Sequence, residues 1–222
     1  MAVPENSAAL MPIGIYGGTF DPIHYGHLRP NLELCERFKM REVRFIPALL
    51  PPHRDSPAIS AELRQQMVAL AIASEPLFVL DKRELERGGP SYMVDTLKSL
   101  RLDFPQYPLC LLLGMDAFMG INQWYHWQEL LDYAHIIISQ RPDTDFEQQQ
   151  KWPEEVRQFY QSHKADTGDI NALLCGKISL QPVTQLAISA TDIRNRLKNN
   201  QSVRYLMPDS VINLIKYEKL YS

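Results

Sequence analysis

Short β-favouring runs alternate along this chain with longer segments of helical period, and no other feature restricts its fold as much. Strands are expected over Ile13–Tyr16, Val43–Ile46, Leu77–Leu80, Leu109–Leu113, Ile136–Ser139 and Lys177–Leu180. Helices are expected over Tyr25–Lys39, Ala61–Ser74, Tyr92–Leu102, Gln128–Tyr133 and Glu154–His163, with Ser60 and Ser91 as candidate N-caps. The pattern implies an α/β chain with a Rossmann-like, doubly wound parallel sheet, whose ligands bind beyond the carboxyl ends of the strands. The connections at Gly17–Thr19, Pro47–Arg54, Arg83–Tyr92 and Gly114–Asp116 would then face one edge and form one cleft.

A chain of 222 residues with 45% hydrophobic content can bury one substantial core. One domain is expected over residues 13–222, preceded by a loose extension over 1–12. That extension has no Lys or Arg and no sustained apolar stretch, so it does not read as a signal peptide. A net charge of −3 and a pI near 6.1 give no basic field for nucleic acid or an anionic membrane. Runs such as Leu109–Leu113 are too short to cross a bilayer. The three cysteines, Cys35, Cys110 and Cys175, are scattered and without CxxC spacing. Neither disulfides nor a zinc site is suggested, and a reducing cytoplasm fits best. Arg141–Gln150 reads as a polar surface connection or a helix entry.

The densest chemistry lies in Gly14-Ile15-Tyr16-Gly17-Gly18-Thr19-Phe20-Asp21-Pro22-Ile23-His24-Tyr25-Gly26-His27. After a strand, paired glycines are expected to turn tightly and to offer N–H groups to an anion without a Cβ in the way. A helix starting near Tyr25 adds the positive end of its dipole, and His24 and His27, three apart, can address one phosphoryl group. A surface pair or half of a metal site is the blander reading of two histidines, and the upstream Gly-Gly-Thr weighs against it. No residue here is poised as a nucleophile, which suits direct nucleotidyl transfer by positioning and charge neutralisation.

Other segments are less specific alone. Ser189-Ala190-Thr191-Asp192 matches a capping box, in which Ser189 takes a helical N–H and Asp192 answers back. Gly114-Met115-Asp116 ends an apolar strand in a turn with an acid suited to ribose hydroxyls, although many strands end so. Trp124-Tyr125-His126-Trp127 is an aromatic cluster on which a flat ring could stack, with core packing the better reading for Trp127. His53-Arg54, after Pro51-Pro52, is otherwise an exposed basic loop.

Gly-Gly-Thr-Phe-Asp-Pro-x-His-x-Gly-His resembles the opening motif of the nucleotidyltransferase superfamily, and Ile188-Ser189-Ala190-Thr191-Asp192-Ile193-Arg194 resembles its C-terminal Ile-Ser-x-Thr-x-Ile-Arg signature. Pro51-Pro52-His53-Arg54, Pro90-Ser91-Tyr92, Gly114-Met115-Asp116 and Trp124-Tyr125 narrow the resemblance to the bacterial nicotinate-mononucleotide adenylyltransferase family. The resemblance implies a nucleotidyltransferase-type sheet and adenylyl transfer from ATP, with Mg²⁺, to nicotinate mononucleotide in NAD biosynthesis. It implies that His24, His27 and Arg194 act on the ATP phosphates, and that Gly17, Gly18, Thr19, Phe20, Gly114, Asp116, Ile188 and Ser189 bind the nucleotide. It assigns His53 and Arg54 to the acceptor phosphate, and Tyr92, Met93, Trp124 and Tyr125 to the acceptor ring and its carboxylate. No protein-held metal is implied.

Two departures concern the acceptor. Ala48-Leu49-Leu50 stands where the family often has an asparagine, and Met93 where a threonine commonly helps hold the carboxylate. Other readings are an adenylyltransferase for nicotinamide mononucleotide or phosphopantetheine, and a non-catalytic nucleotide sensor. The sensor would be expected to lose a phosphate-neutralising residue, and His24, His27, Ser189 and Arg194 are all present.

Overall fold

The computed structural model describes residues 11–51, 57–140 and 152–221. Six strands, β1 (Ile13–Gly18), β2 (Glu42–Pro47), β3 (Phe78–Leu80), β4 (Leu109–Gly114), β5 (His135–Gln140) and β6 (Ile178–Pro182), form one sheet in the order β3-β2-β1-β4-β5-β6. All five neighbouring pairs are parallel, so the order reverses between β1 and β4 and opens a crevice there.

The apolar runs of β4 and β5 are continuous because both sheet faces are covered, and their side chains alternate between two cores. Cys110, Leu112 and Ile137 join Phe45, Phe38, Met67 and Val211 on one face. Leu109, Leu111, Leu113, Ile136 and Ile138 join Ile15, Leu97, Phe118 and Val156 on the other.

The helices are α1 (Tyr25–Phe38), α2 (Ala61–Ile72), α3 (Arg83–Arg87), α4 (Met93–Asp103), α5 (Met115–Met119), α6 (Leu130–Tyr133), α7 (Glu154–His163), α8 (Thr167–Ala172), α9 (Ala190–Lys198) and α10 (Asp209–Tyr217). Ser60 caps α2 as expected, its hydroxyl accepting from the Leu63 N–H at 3.3 Å. Ser91 does not cap α4. Tyr92 is the N-cap, and the Ser91 hydroxyl instead accepts from the N–H of Leu49 at 2.9 Å, tying the loop after β2 to the start of α4. Four short or terminal helices, α3, α5, α8 and α10, were not expected from periodicity. Arg141–Gln150 lies outside the described residues.

At the edge away from the crevice, His135 begins β5 fully buried. Its Nε2–H donates to the Leu173 carbonyl at 2.9 Å, and its Nδ1 accepts from the Lys177 N–H at 3.2 Å. A second ring proton would face that N–H, and burial pulls the pKa down to about 4; burial does the same to His24. Both histidines take up protons more readily when the chain is unfolded. Their contribution is therefore intact above pH ~6.5 and is lost as pH falls toward ~4, by on the order of 3 kcal/mol each. Unfolding free energy should decline over that window, and His135→Gln should flatten the decline. Equal slopes for both proteins in denaturant titrations between pH 7.5 and 4.5 would remove His135 from this role.

Candidate active site

The turn after β1 is not where the glycines suggested. Gly17 and Gly18 are extended residues of β1, paired with Ile46 and Pro47. The chain reverses one step later, at Phe20 with φ 53° and through the cis Asp21–Pro22 bond. Glycine at position 17 leaves the space that Met93 fills: a Cβ there would stand 2.5 Å from its Cε, and the methionine would have to shift.

The following residues enter α1 through His24, an extended N-cap. The His24 and His27 rings stack, with centroids 3.7 Å apart and planes at 25°. The His24 backbone N–H donates to Nδ1 of His27 at 3.2 Å, so a neutral His27 carries its proton on Nε2. Phe20 sets its ring edge-on to His27 at 5.4 Å, and Asn31 anchors the His27 carbonyl at 2.6 Å. His24 is 5% exposed, and its Nδ1 has no hydrogen-bond partner among the described residues. A buried ring nitrogen without a partner is costly unless a ligand completes it. Gly26 makes room for that ring and for the approach of the Ile188 carbonyl, which would lie 2.9 Å and 3.3 Å from a Cβ.

Ile188 leads into α9. Ser189 caps this helix, its hydroxyl accepting from the Asp192 N–H at 3.1 Å. The Asp192 carboxylate pairs with Arg196 at 2.7 Å and does not complete the expected capping box. Arg194, one turn in, donates to the Asp21 carbonyl at 2.7 Å and to the Thr191 hydroxyl at 3.2 Å.

These elements enclose a cavity of about 1430 Å³ at the crevice. Thr19, His24, His27, Gly114, Asp116, Ile188, Ser189 and Arg194, all expected from the sequence, line it. Gly17, Gly18 and Phe20 do not. The strand-end Gly114 and Asp116 continue into helix α5, where a turn was expected. The cavity also takes Ser139, Gln140 and Gln185 from the β5 side, which the sequence reading missed, and the connection after β3 contributes nothing to its lining. His53 and Arg54 lie outside the described residues.

The residues expected to bind the acceptor form a neighbouring group. Tyr92 and Tyr125 face each other at 4.5 Å, with Tyr125 half exposed. Trp124 packs with Tyr92 and Met93 on the second core, and Trp127 packs edge-on against Phe159 at 4.7 Å. The methyl of Met93 against Gly17 joins this group to the end of β1.

Asp21, Arg64 and Tyr221 are the other residues missed. Arg64 is 1% exposed and donates to the carbonyls of Thr19 at 2.7 Å and Leu49 at 3.2 Å. Its position could have been noticed, because Ala61, Arg64, Val68 and Ala71 step by three and four along the buried face of α2.

A parallel sheet with a nucleotide-sized crevice at its switch point, stacked histidines and a capped helix N-terminus facing one another define a nucleotidyltransferase-type site. The cytidylyltransferase-like family model matches residues 15–196. Relatives in Methylococcus capsulatus and Aeromonas hydrophila, each named "Probable nicotinate-nucleotide adenylyltransferase", are 46% identical over 95% of this chain and 99% and 97% of their own lengths. One in Psychromonas ingrahamii with the same name is 43% identical, covering 94% of this chain and 96% of its own. The chain belongs to the nicotinate-nucleotide adenylyltransferase family. Its fold matches that of Plasmodium falciparum nicotinic acid mononucleotide adenylyltransferase complexed with APC, at TM-score 0.69 and 20% identity over 95% of this chain and 97% of the other. The same enzyme complexed with NaAD matches at 0.68.

Proposed function

We propose that this chain transfers the adenylyl group of Mg·ATP to nicotinate mononucleotide, giving nicotinate adenine dinucleotide and pyrophosphate. The observation that carries this reading is the meeting, in one cavity, of the His24–His27 stack, the N-terminal end of α9 with Ser189 and Arg194, and the strand end at Gly114 and Asp116. An acceptor phosphate oxygen attacks the α-phosphorus, a new P–O bond forms, and the bond to the β-phosphate oxygen breaks as pyrophosphate leaves. The attacking phosphate is already ionised, so no general base is required. The protein's work is to hold two anions in line and neutralise the charge gathered between them.

In this scheme His24, kept neutral by burial, donates a hydrogen bond to the α-phosphate and brings no charge. His27 supplies the second donor from Nε2. Thr19 and the backbone beside it orient the oxygens, Ser189 and the α9 dipole hold the triphosphate, and Arg194 neutralises its outer phosphates. Gly114 and Asp116 receive the adenosine ribose. Magnesium enters as part of the nucleotide substrate. In the motif, Gly17, Gly18 and Phe20 support the phosphate loop from behind, and His53 with Arg54 takes the acceptor phosphate. Residues 13–222 act as one catalytic domain. The free thiols of Cys35, Cys110 and Cys175 support a reducing, cytoplasmic setting.

The nicotinate ring stacks on Trp124 beside Tyr92, and its carboxylate meets the N–H groups of Tyr125 and Met93. Met93 opens α4, so its N–H has no acceptor within the helix and lies at the positive end of the dipole. Such donors favour a carboxylate over a carboxamide. Incubating the protein with Mg·ATP and either mononucleotide, then identifying the dinucleotide, tests this directly. Higher kcat/KM for the acid is expected; equal efficiency on both would sink the carboxylate argument, and no dinucleotide from either would sink the function. Met93→Thr adds a hydroxyl donor and should raise kcat/KM for the acid by about fivefold, the worth of about 1 kcal/mol. It should also lower Tm, because the contact of Cε on Gly17 is lost.

A further inference from the structure

A polyphosphate cavity is an unfavourable place for a carboxylate, yet Asp21 lines this one and is 7% exposed. Both of its carboxylate oxygens have partners. Oδ1 accepts from the Tyr221 hydroxyl at 2.6 Å, and Oδ2 accepts from the Ala58 N–H at 2.7 Å. The buried Arg64 guanidinium lies close enough to interact with it electrostatically, while bonding the neighbouring Thr19 carbonyl. What Asp21 offers the cavity is its backbone carbonyl, which receives Arg194 at 2.7 Å. Six stretches of the chain, at residues 19–21, 49, 58, 64, 194 and 221, therefore meet at one largely buried junction.

We infer that Asp21 is a positioning residue for adenylyl transfer: its carboxylate, clamped by Tyr221 and Ala58, fixes the peptide whose carbonyl presets the Arg194 guanidinium. The inference rests on the reading above, in which Arg194 neutralises the ATP phosphates. A carbonyl cannot be mutated away, but the clamp that holds it can be loosened. Tyr221→Phe removes one oxygen and leaves the ring to fill the core it shares with Phe20 and Ile215. Without that hydroxyl the peptide at position 21 has one side-chain tether, Ala58, and Arg194 samples orientations that do not serve the transition state.

The test is a double-mutant cycle in the full chain between Tyr221→Phe and Arg194→Lys, measuring kcat and KM for Mg·ATP and for nicotinate mononucleotide. Tyr221→Phe is expected to lower kcat by about tenfold, with acceptor KM within about twofold, because one hydrogen bond of ordinary worth is lost. In the Arg194→Lys background, where the fork that it positions is absent, the same change should cost less than about twofold. Equal losses in both backgrounds, or unchanged kinetics with Tyr221→Phe alone, would overturn the inference. Asp21→Asn, which still accepts from Ala58 but removes the charge opposite Arg64, should show the same non-additivity, and thermal melts confirm that each variant is folded. An inactive wild-type protein would count against the proposed function; an active one with an additive cycle would count against Asp21 alone.

Discussion

Replacing His27 by alanine is expected to lower kcat by about a hundredfold or more while KM for nicotinate mononucleotide stays within a fewfold. The ring is fixed on three sides, by the His24 stack, the Phe20 edge and the His24 N–H on Nδ1, so its orientation is set before substrate arrives. A donor held in advance contributes most where charge develops, at the α-phosphate in the transition state. Removing it should leave the acceptor group around Trp124 and Tyr92 intact, since those residues pack on the other core. Single-turnover kinetics with a matched thermal melt provide the check. Turnover within a fewfold of wild type in a folded variant would return His27 to a packing role.

Arg194→Ala is expected to reduce kcat/KM for Mg·ATP by about a hundredfold, and Arg194→Lys by about tenfold. The guanidinium already spans two acceptors, the Asp21 carbonyl and the Thr191 hydroxyl, and that span depends on a planar fork. An ammonium keeps the charge but cannot hold both contacts and also address a phosphate. The graded loss, with acceptor KM unmoved, separates charge from geometry. Unchanged kinetics in both variants would place Arg194 among the solvated charges of α9.

The sequence carried the strand order's raw material well, because β4 and β5 are buried on both faces and read as unbroken apolar runs. It also carried the cavity-lining residues that sit inside contiguous motifs, from Thr19 to His27 and from Ile188 to Arg194. Local signals misled where tertiary contacts decide. Gly17 and Gly18 suggest a turn, but the space their missing side chains leave is filled by Met93 and Phe20, and the backbone stays extended. Ser91 looks like a cap until the Leu49 N–H claims its hydroxyl across 42 residues. What Arg64 and Tyr221 do at Thr19 and Asp21 depends on bonds across 45 and 200 residues, and no short window along the chain contains both ends of such a bond.

The sheet also divides most of the residues expected to bind the two substrates between its faces, with Leu113 and Met115 of the second core reaching into the cavity as well. Phe20, Ile188 and Ile193 lie in or against one core beside the residues proposed to hold the phosphates, whereas Met93, Tyr92 and Trp124, proposed to hold the acceptor, pack on the other. One direct link between them is the end of β1, where Met93 rests on Gly17. On the proposed roles, repacking around Met93, Tyr92 and Trp124 should shift acceptor preference with less effect on the histidine stack, which packs with Phe20 on the opposite core, so the second substrate is the one this architecture exchanges more readily.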